Sequence, residues 1–300
     1  MTFSLSYRCF SKIKTYLCIM IMRKENDRPI SYRMIVLDLD GTLTNAKKEV
    51  TARNLETLME AQRRGVKVVL ASGRPTYGIM PLAEQLRLAD YDGYILAYNG
   101  GKILSCRTGE TVFNRELEPE LVPLLHRHAM DAGLHILAYQ GESIAATKVD
   151  DEYVEHVAFI NKMPLIEYDD FANQVEHPIN KCLIVGHPEP LHALELRLAE
   201  ELEGRLLVYR SCDFFLECVP MGIEKSQSLD KLISRLGILR EEVIAVGDGY
   251  NDMGMIGFAG LGVAMENAAE EVKQAADYIT ASNEEDGVAL VVERFILGKG

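Results

Sequence analysis

The apolar positions of the chain alternate between unbroken short runs and helical spacings. Met34, Ile35, Val36 and Leu37 form one such run, stopped by Asp38-Leu39-Asp40-Gly41-Thr42. A run of this kind predicts a buried parallel strand closed by an acidic turn. Thr51 then predicts a helix cap, with Leu55, Leu58, Met59 and Gln62 at helical spacing and Gly65 at the end. Residues 66–71 read as a second strand ending in Ser72-Gly73-Arg74-Pro75. Strand, helix and strand make a right-handed βαβ unit with parallel strands. A third strand is predicted at 94–98, ending in Asn99-Gly100-Gly101, and a hairpin over 103–115 turning at Thr108-Gly109.

From about residue 112 the texture changes. Helices are predicted at 119–132 and 190–203, the second closed by Gly204, and strands at 135–139, 143–149, 179–185, 206–211 and 214–219. The first pattern then resumes. Leu229, Leu232, Ile233 and Leu236 line one face of a helix over 226–236, and 243–246 is a buried strand ending in Gly247-Asp248-Gly249-Tyr250-Asn251-Asp252. A strand at 261–265 and a helix at 268–276 follow. The expected fold is α/β, with a discontinuous core over 34–111 and 220–300 and a separate α/β domain inserted at 112–219. Residues 1–33 carry a basic start and a short apolar run at 16–22, too short to span a bilayer and without a small-residue cleavage site. The expectation for them is a disordered extension.

Composition narrows the partners. A net charge of −13 argues against nucleic acid, which needs a basic face. The six cysteines, Cys9, Cys18, Cys106, Cys182, Cys212 and Cys218, show neither a C-x-x-C pair nor a regular frame, which fits a reducing cytoplasm. The histidines lack metal-ligand spacing. The expectations are a cytoplasmic protein without stable membrane insertion, either a monomer or a weak homodimer.

The chemistry lies at the strand ends. Asp38 sits where open α/β sheets bind ligands, and Asp40, two residues on, points the same way in extended chain. Two carboxylates so close repel, and a hard divalent cation such as Mg²⁺ answers that repulsion. One can act as nucleophile while the other moves protons. Ser72 and Gly73, entering a helix, form a weak anion site. Parallel strands bring Asp248 and Asp252 to the same edge, giving up to four carboxylates around one cation. Ser72 and Thr42 can meet phosphate oxygens, and Lys225 adds positive charge. That set suits phosphoryl transfer. Taken singly the residues have plainer readings: Lys225 as a solvated helix lysine, Asp252 as an acid favoured by a helix N-terminus, and Arg74 as the partner of a cap acid or of substrate.

In order, Asp38-Leu39-Asp40-Gly41-Thr42, Ala71-Ser72-Gly73-Arg74, Lys225 and Gly247-Asp248-Gly249-Tyr250-Asn251-Asp252 resemble the four motifs of the haloacid dehalogenase (HAD) superfamily. Residues 98–101, 262–268 and 280–288 are similar to signatures of its Cof-type phosphatases. The resemblance covers residues 34 to about 298. It implies a Rossmann-like parallel-sheet core with an inserted α/β cap of type IIB (C2B). It implies Asp38 as nucleophile and Asp40 as acid and base. Mg²⁺ would be held by Asp38, the Asp40 backbone carbonyl and Asp248, with Asp252 assisting. Ser72, Gly73, Lys225 and Asn251 would hold the phosphoryl group, and Thr42 would shape the loop. Ser226 departs from the glycine usual after the lysine, although serine is a good N-cap.

The expectation is a Mg²⁺-dependent phosphatase of small phosphorylated metabolites, sugar phosphates foremost. A phosphosugar mutase and a non-catalytic phosphometabolite-binding protein are the alternatives. Specificity is expected in the cap, with Tyr139, Glu142 and Arg210 as candidates.

Overall fold

A computed structural model describes residues 31–299. The expected extension up to residue 30, its apolar run and Cys9 and Cys18 lie outside the described residues. Arg33, assigned by sequence to that extension, already belongs to the fold: its N–H donates to the Glu242 carbonyl at 2.8 Å and its carbonyl accepts from Lys67 at 2.9 Å.

The core strands are β1 (Met34–Leu37), β2 (Lys67–Ala71), β3 (Tyr94–Ala97), β4 (Lys102–Ser105) and β5 (Thr111–Asn114). The inserted segment supplies β6 (His135–Gln140), β7 (Ser143–Ala146), β8 (Leu165–Glu167), β9 (Cys182–Val185), β10 (Leu206–Cys212) and β11 (Phe215–Pro220). The chain then returns with β12 (Val243–Gly247), β13 (Leu261–Ala264) and β14 (Tyr278–Ile279). The core sheet runs β14-β13-β12-β1-β2-β3-β4-β5. Its first six strands are parallel, and β4 and β5 close it as an antiparallel hairpin. This is the parallel-sheet α/β core that the strand pattern predicts.

The apolar runs fill both faces of the sheet. Ile35, Leu37, Val68, Leu70, Ile244 and Val246 pack on one side. Met34, Val36, Val69, Ala71, Val243 and Ala245 alternate with them and pack on the other, against the helix Lys225–Leu236. No polar position interrupts β1, because neither of its faces meets water.

The second sheet runs β10-β11-β9-β6-β7-β8. One face is covered by Leu121, Val122 and Leu125 of the helix Leu121–Asp131 and by Leu191, Leu194 and Leu198 of the helix Pro188–Glu201. The other face turns to the core sheet: Leu137, Tyr139, Ile144 and Leu183 share a cluster with Leu39, Ile79 and Tyr98.

Several boundaries shift from the sequence reading. β5 hydrogen-bonds to β4 as far as Asn114, so the core sheet continues past residue 111, and the second sheet ends at Pro220. β7 stops at Ala146 rather than 149, where the Thr147 hydroxyl accepts the Ile136 N–H at 3.1 Å.

Candidate active site

β1 lies between β12 and β2, with Leu37 opposite Val246 and Leu70. Asp38, Asp248 and Ser72 each follow the last residues of those strands, so parallel register delivers all three to one edge. The turn after β1 needs Gly41. Its φ is +87°, and a Cβ there would collide with the Asp248 carboxylate.

Lys225 opens its helix and is 1% exposed. Its Nζ donates to Asp38 Oδ1 and to Asp252 Oδ1, both at 2.6 Å. Ser228, one turn on, donates to the Gly100 carbonyl at 2.6 Å and fixes the helix against the loop after β3. Ser226 does not cap the helix; Glu224 holds the N-cap position. The Ser226 hydroxyl reaches Glu224 at 3.3 Å, and Ser226 does not line the cavity.

Asp252 is fully buried, and its Oδ2 accepts the N–H groups of Asp248 at 3.1 Å and Gly249 at 2.9 Å. It therefore shapes the loop that presents Asp248. Thr42 is also fully buried and donates its hydroxyl to Asp248 Oδ1 at 2.7 Å. Its hydroxyl is thus committed to a carboxylate that lines the cavity.

Asp38, Asp248 and Asp252 bring one oxygen each within 4.8 Å of one another. Three carboxylates facing one ammonium leave negative charge unmatched. Burial and then Asp252 push Asp38 up, against the lowering pull of Lys225. Asp248 is pushed up to about 6, chiefly by burial and with a further push from Asp252, while its Thr42 bond pulls it down. Hard oxygen donors carrying excess charge fit a divalent cation. The Asp40 carboxylate lies outside this cluster, so as a cation ligand Asp40 is left with its backbone carbonyl.

Asp40 lines the same cavity with different partners. Arg74 grips it through Nε at 2.8 Å and Nη2 at 2.5 Å, and Lys48 adds a bond at 2.7 Å. Burial would raise this carboxyl, but the Arg74 bonds and charge, with those of Lys48, outweigh it and hold Asp40 below the usual carboxylate range. The acid that Arg74 meets is thus Asp40 of the core rather than an acid of the cap.

A cavity of about 580 Å³ lies between the two sheets, a size suited to a small metabolite. Asp38, Asp40, Ser72, Gly73, Asp248, Asn251 and Asp252 line it. Thr42 and Lys225 sit beneath its floor. Tyr139 and Arg210 line the cap side, whereas Glu142 is exposed on the β6–β7 turn away from it. Asn99, in left-handed backbone at φ 55°, accepts from Asn251 at 3.1 Å and donates to the Tyr209 hydroxyl at 3.3 Å. Sequence reasoning passed over Lys181, Glu217, Tyr209 and Asn161, which also line the cavity. The available signal was a charged residue inside or beside an otherwise apolar strand, as in Lys181-Cys182-Leu183-Ile184 and Leu216-Glu217-Cys218.

These titrations give a pH-dependent expectation. A carboxyl whose proton is held more tightly in the folded state favours folding at low pH, and loses that contribution as pH rises through its folded value. For Asp248 the loss runs from its ordinary value up to about 6, and Asp38 acts in the same direction. A divalent cation binds the deprotonated form and offsets the loss. Thermal unfolding with and without Mg²⁺ should therefore show little stabilisation near pH ~5 and a clear gain near pH ~8. Equal gains at both would count against a cation held by Asp38 and Asp248.

Comparison with known proteins agrees with the geometry. The family of haloacid dehalogenase-like hydrolases matches residues 35–292. A 5-amino-6-(5-phospho-D-ribitylamino)uracil phosphatase of Bacillus subtilis is 32% identical over 89% of this chain and 97% of its own. The crystal structure of a haloacid dehalogenase-like hydrolase from Bacteroides thetaiotaomicron is 52% identical, with a TM-score of 0.87 over 88% of this chain and 99% of that one. A HAD subclass IIB sugar phosphatase at 24% identity shares the fold, with a TM-score of 0.73 over 88% of this chain and 98% of its own. Four ordered motifs meeting at one sheet edge, under an inserted α/β cap, thus coincide with a family match across the described core, and the chain belongs to the haloacid dehalogenase-like hydrolases, as a phosphatase of the Cof type with a type IIB cap.

Proposed function

We propose that this phosphatase hydrolyses phosphate monoesters of small metabolites, sugar or sugar-alcohol phosphates foremost, with Mg²⁺ and through a phosphoryl group carried on Asp38. The observation that carries the reading is the position of Asp38. It ends a buried strand, opens into the cavity, touches Lys225 at 2.6 Å and belongs to the three-carboxylate cluster.

One Asp38 oxygen attacks phosphorus while the bond to the leaving oxygen breaks, and Asp40 gives that oxygen its proton. Asp40 then takes a proton from water as the water attacks the phosphoryl group, freeing phosphate and restoring Asp38. Lys225, fixed between Asp38 and Asp252, keeps positive charge beneath the reacting group. Ser72, Gly73 and Asn251, which line the cavity, would hold phosphoryl oxygens. Asp38, Asp248 and the Asp40 backbone carbonyl, with Asp252 in support, would hold Mg²⁺, which would supply charge neutralisation. Asp40 must loosen from Arg74 to carry a proton, so the arriving phosphate, itself an anion, competes for Arg74.

The cap supports a small substrate, because a macromolecule does not fit between the two sheets. The names of similar proteins, a ribitylaminouracil phosphatase and a sugar phosphatase, support a polyhydroxylated one. The four described cysteines are free, in keeping with work in the cytoplasm. Among the described residues no helix is long and apolar enough to cross a membrane. We take the working form to be a monomer or weak homodimer.

The test is phosphate release from a panel of phosphorylated sugars, polyols and nucleotides. Release that needs Mg²⁺ and stops in EDTA supports the reading. Release untouched by EDTA removes the metal from it, and a mutase would instead interconvert phosphosugars without net phosphate release.

A further inference from the structure

The cap side of the cavity carries a pair of opposite charges that the reaction steps above do not use. Lys181 immediately precedes β9 and Glu217 lies within β11; they are 5% and 8% exposed. Lys181 Nζ donates to Glu217 Oε2 at 2.8 Å and to the Gly73 carbonyl at 3.2 Å. Ser211 donates to the other carboxylate oxygen of Glu217 at 3.1 Å.

The two-residue period of the strands puts the pair there. Tyr209 is opposite Glu217, Glu217 opposite Leu183, and Leu183 opposite Leu137, so these four share one face. Lys181 and Tyr139 lie two positions along and share it too. The alternating positions, Ala138, Cys182, Ile184 and Cys218, pack against the cap helices. An ion pair buried in this way adds little stability over apolar side chains of the same volume. Stability therefore does not account for it, and its place in the cavity wall points to a ligand.

The chemistry of the wall says which ligand. The ammonium has three N–H groups, of which two are engaged; the Tyr139 ring lies 5.4 Å from Nζ. The carboxylate keeps lone pairs beyond its two bonds. Arg210 adds no free charge, since Glu195 holds it at 2.7 Å. The wall thus offers a donor and several acceptors with no net charge. Hydroxyl groups, which both donate and accept, match it; a second anionic group does not.

We infer that Lys181 and Glu217 are specificity-determining residues that hold the hydroxyl groups of a neutral, polyhydroxylated leaving group. The inference rests on the phosphatase reading above and deepens it. The bond from Lys181 to the Gly73 carbonyl links this recognition to the loop beneath that faces the phosphoryl group.

The test compares kcat/KM for a linear polyol monophosphate and for p-nitrophenyl phosphate, whose leaving group has no such hydroxyls. Wild-type protein is set against Glu217→Gln, Lys181→Met and the double variant Lys181→Met/Glu217→Leu, each checked for folding by circular dichroism. Turnover of p-nitrophenyl phosphate that disappears in Asp38→Asn establishes the phosphatase reading independently. The expected result is a loss of about 10- to 100-fold on the polyol phosphate; p-nitrophenyl phosphate should stay near its wild-type value in Glu217→Gln and fall by less than the polyol phosphate where Lys181, bonded to the Gly73 carbonyl, is replaced. The double variant, whose apolar pair fills the same space, should show the same split. Equal losses on both substrates, or no loss on the polyol phosphate, would overturn the inference.

Discussion

Asp38→Asn is expected to lower turnover by about 10⁴-fold or more while leaving a folded protein. The amide keeps the shape of the side chain but cannot attack phosphorus, and no neighbouring carboxylate can take its place. Asp252 is buried and committed to Lys225 and two backbone N–H groups, and Asp40 is gripped by Arg74 and Lys48. Stability should move the other way. Burial and Asp252 already make the charged form of Asp38 unfavourable, so removing that charge should leave the metal-free unfolding midpoint unchanged or higher at neutral pH. Loss of activity and loss of stability are thereby separated, by steady-state rates and by thermal unfolding in EDTA. A variant that is inactive only because it unfolds would contradict the assignment.

Lys225→Met is expected to fail for the opposite reason. The ammonium is buried between Asp38 and Asp252, and those carboxylates hold it charged. Its removal leaves two buried acids uncompensated, a loss of about 3–5 kcal/mol near neutral pH. The loss should shrink as pH falls, because the orphaned carboxylates then take up protons. Excess Mg²⁺ should restore part of the stability, since it supplies the missing charge, but not the turnover, since it does not replace the ammonium beneath the phosphoryl group. Urea unfolding near pH ~5 and pH ~7, with and without Mg²⁺, measures this. A variant as stable as wild type at both would show that Lys225 does not hold the acids together.

The part of the site legible in the sequence is the part built by consecutive residues at strand ends. β1, β2 and β12 are buried on both faces, so their runs are unbroken and their ends sharp. The residues that follow them, Asp38, Ser72 and Asp248, could be placed on one edge from parallel topology alone. The β4–β5 hairpin was also legible, but its half-exposed second strand resembled the start of the insertion, which drew the boundary three residues early. The helix Thr76–Gln85 went without bounds, having Pro81 in its interior where sequence rules expect an end.

What depended on register between distant strands was not legible. Lys181 and Glu217 meet only because β9 pairs with β11 across an intervening helix and β10, and each alone reads as a surface charge near a strand. Glu142, two residues past the end of β6, looked equivalent to Tyr139 within that strand, yet the turn carries it into solvent. Arg74 could be seen as a cation near the site, but its choice of Asp40 follows from how the loop after β2 folds against the loop after β1.

The central claim, that phosphoryl transfer passes through Asp38 with help from a divalent cation, is tested most directly by trapping. Wild-type protein turning over a phosphorylated substrate in Mg²⁺ is quenched in acid and its peptides are mapped by mass spectrometry. The account predicts a phosphoryl adduct on the peptide containing Asp38, absent when EDTA replaces Mg²⁺ and accumulating in Asp40→Asn, where its hydrolysis is slowed. Turnover that continues in Asp38→Asn, with no adduct on that peptide in the wild type, would contradict it.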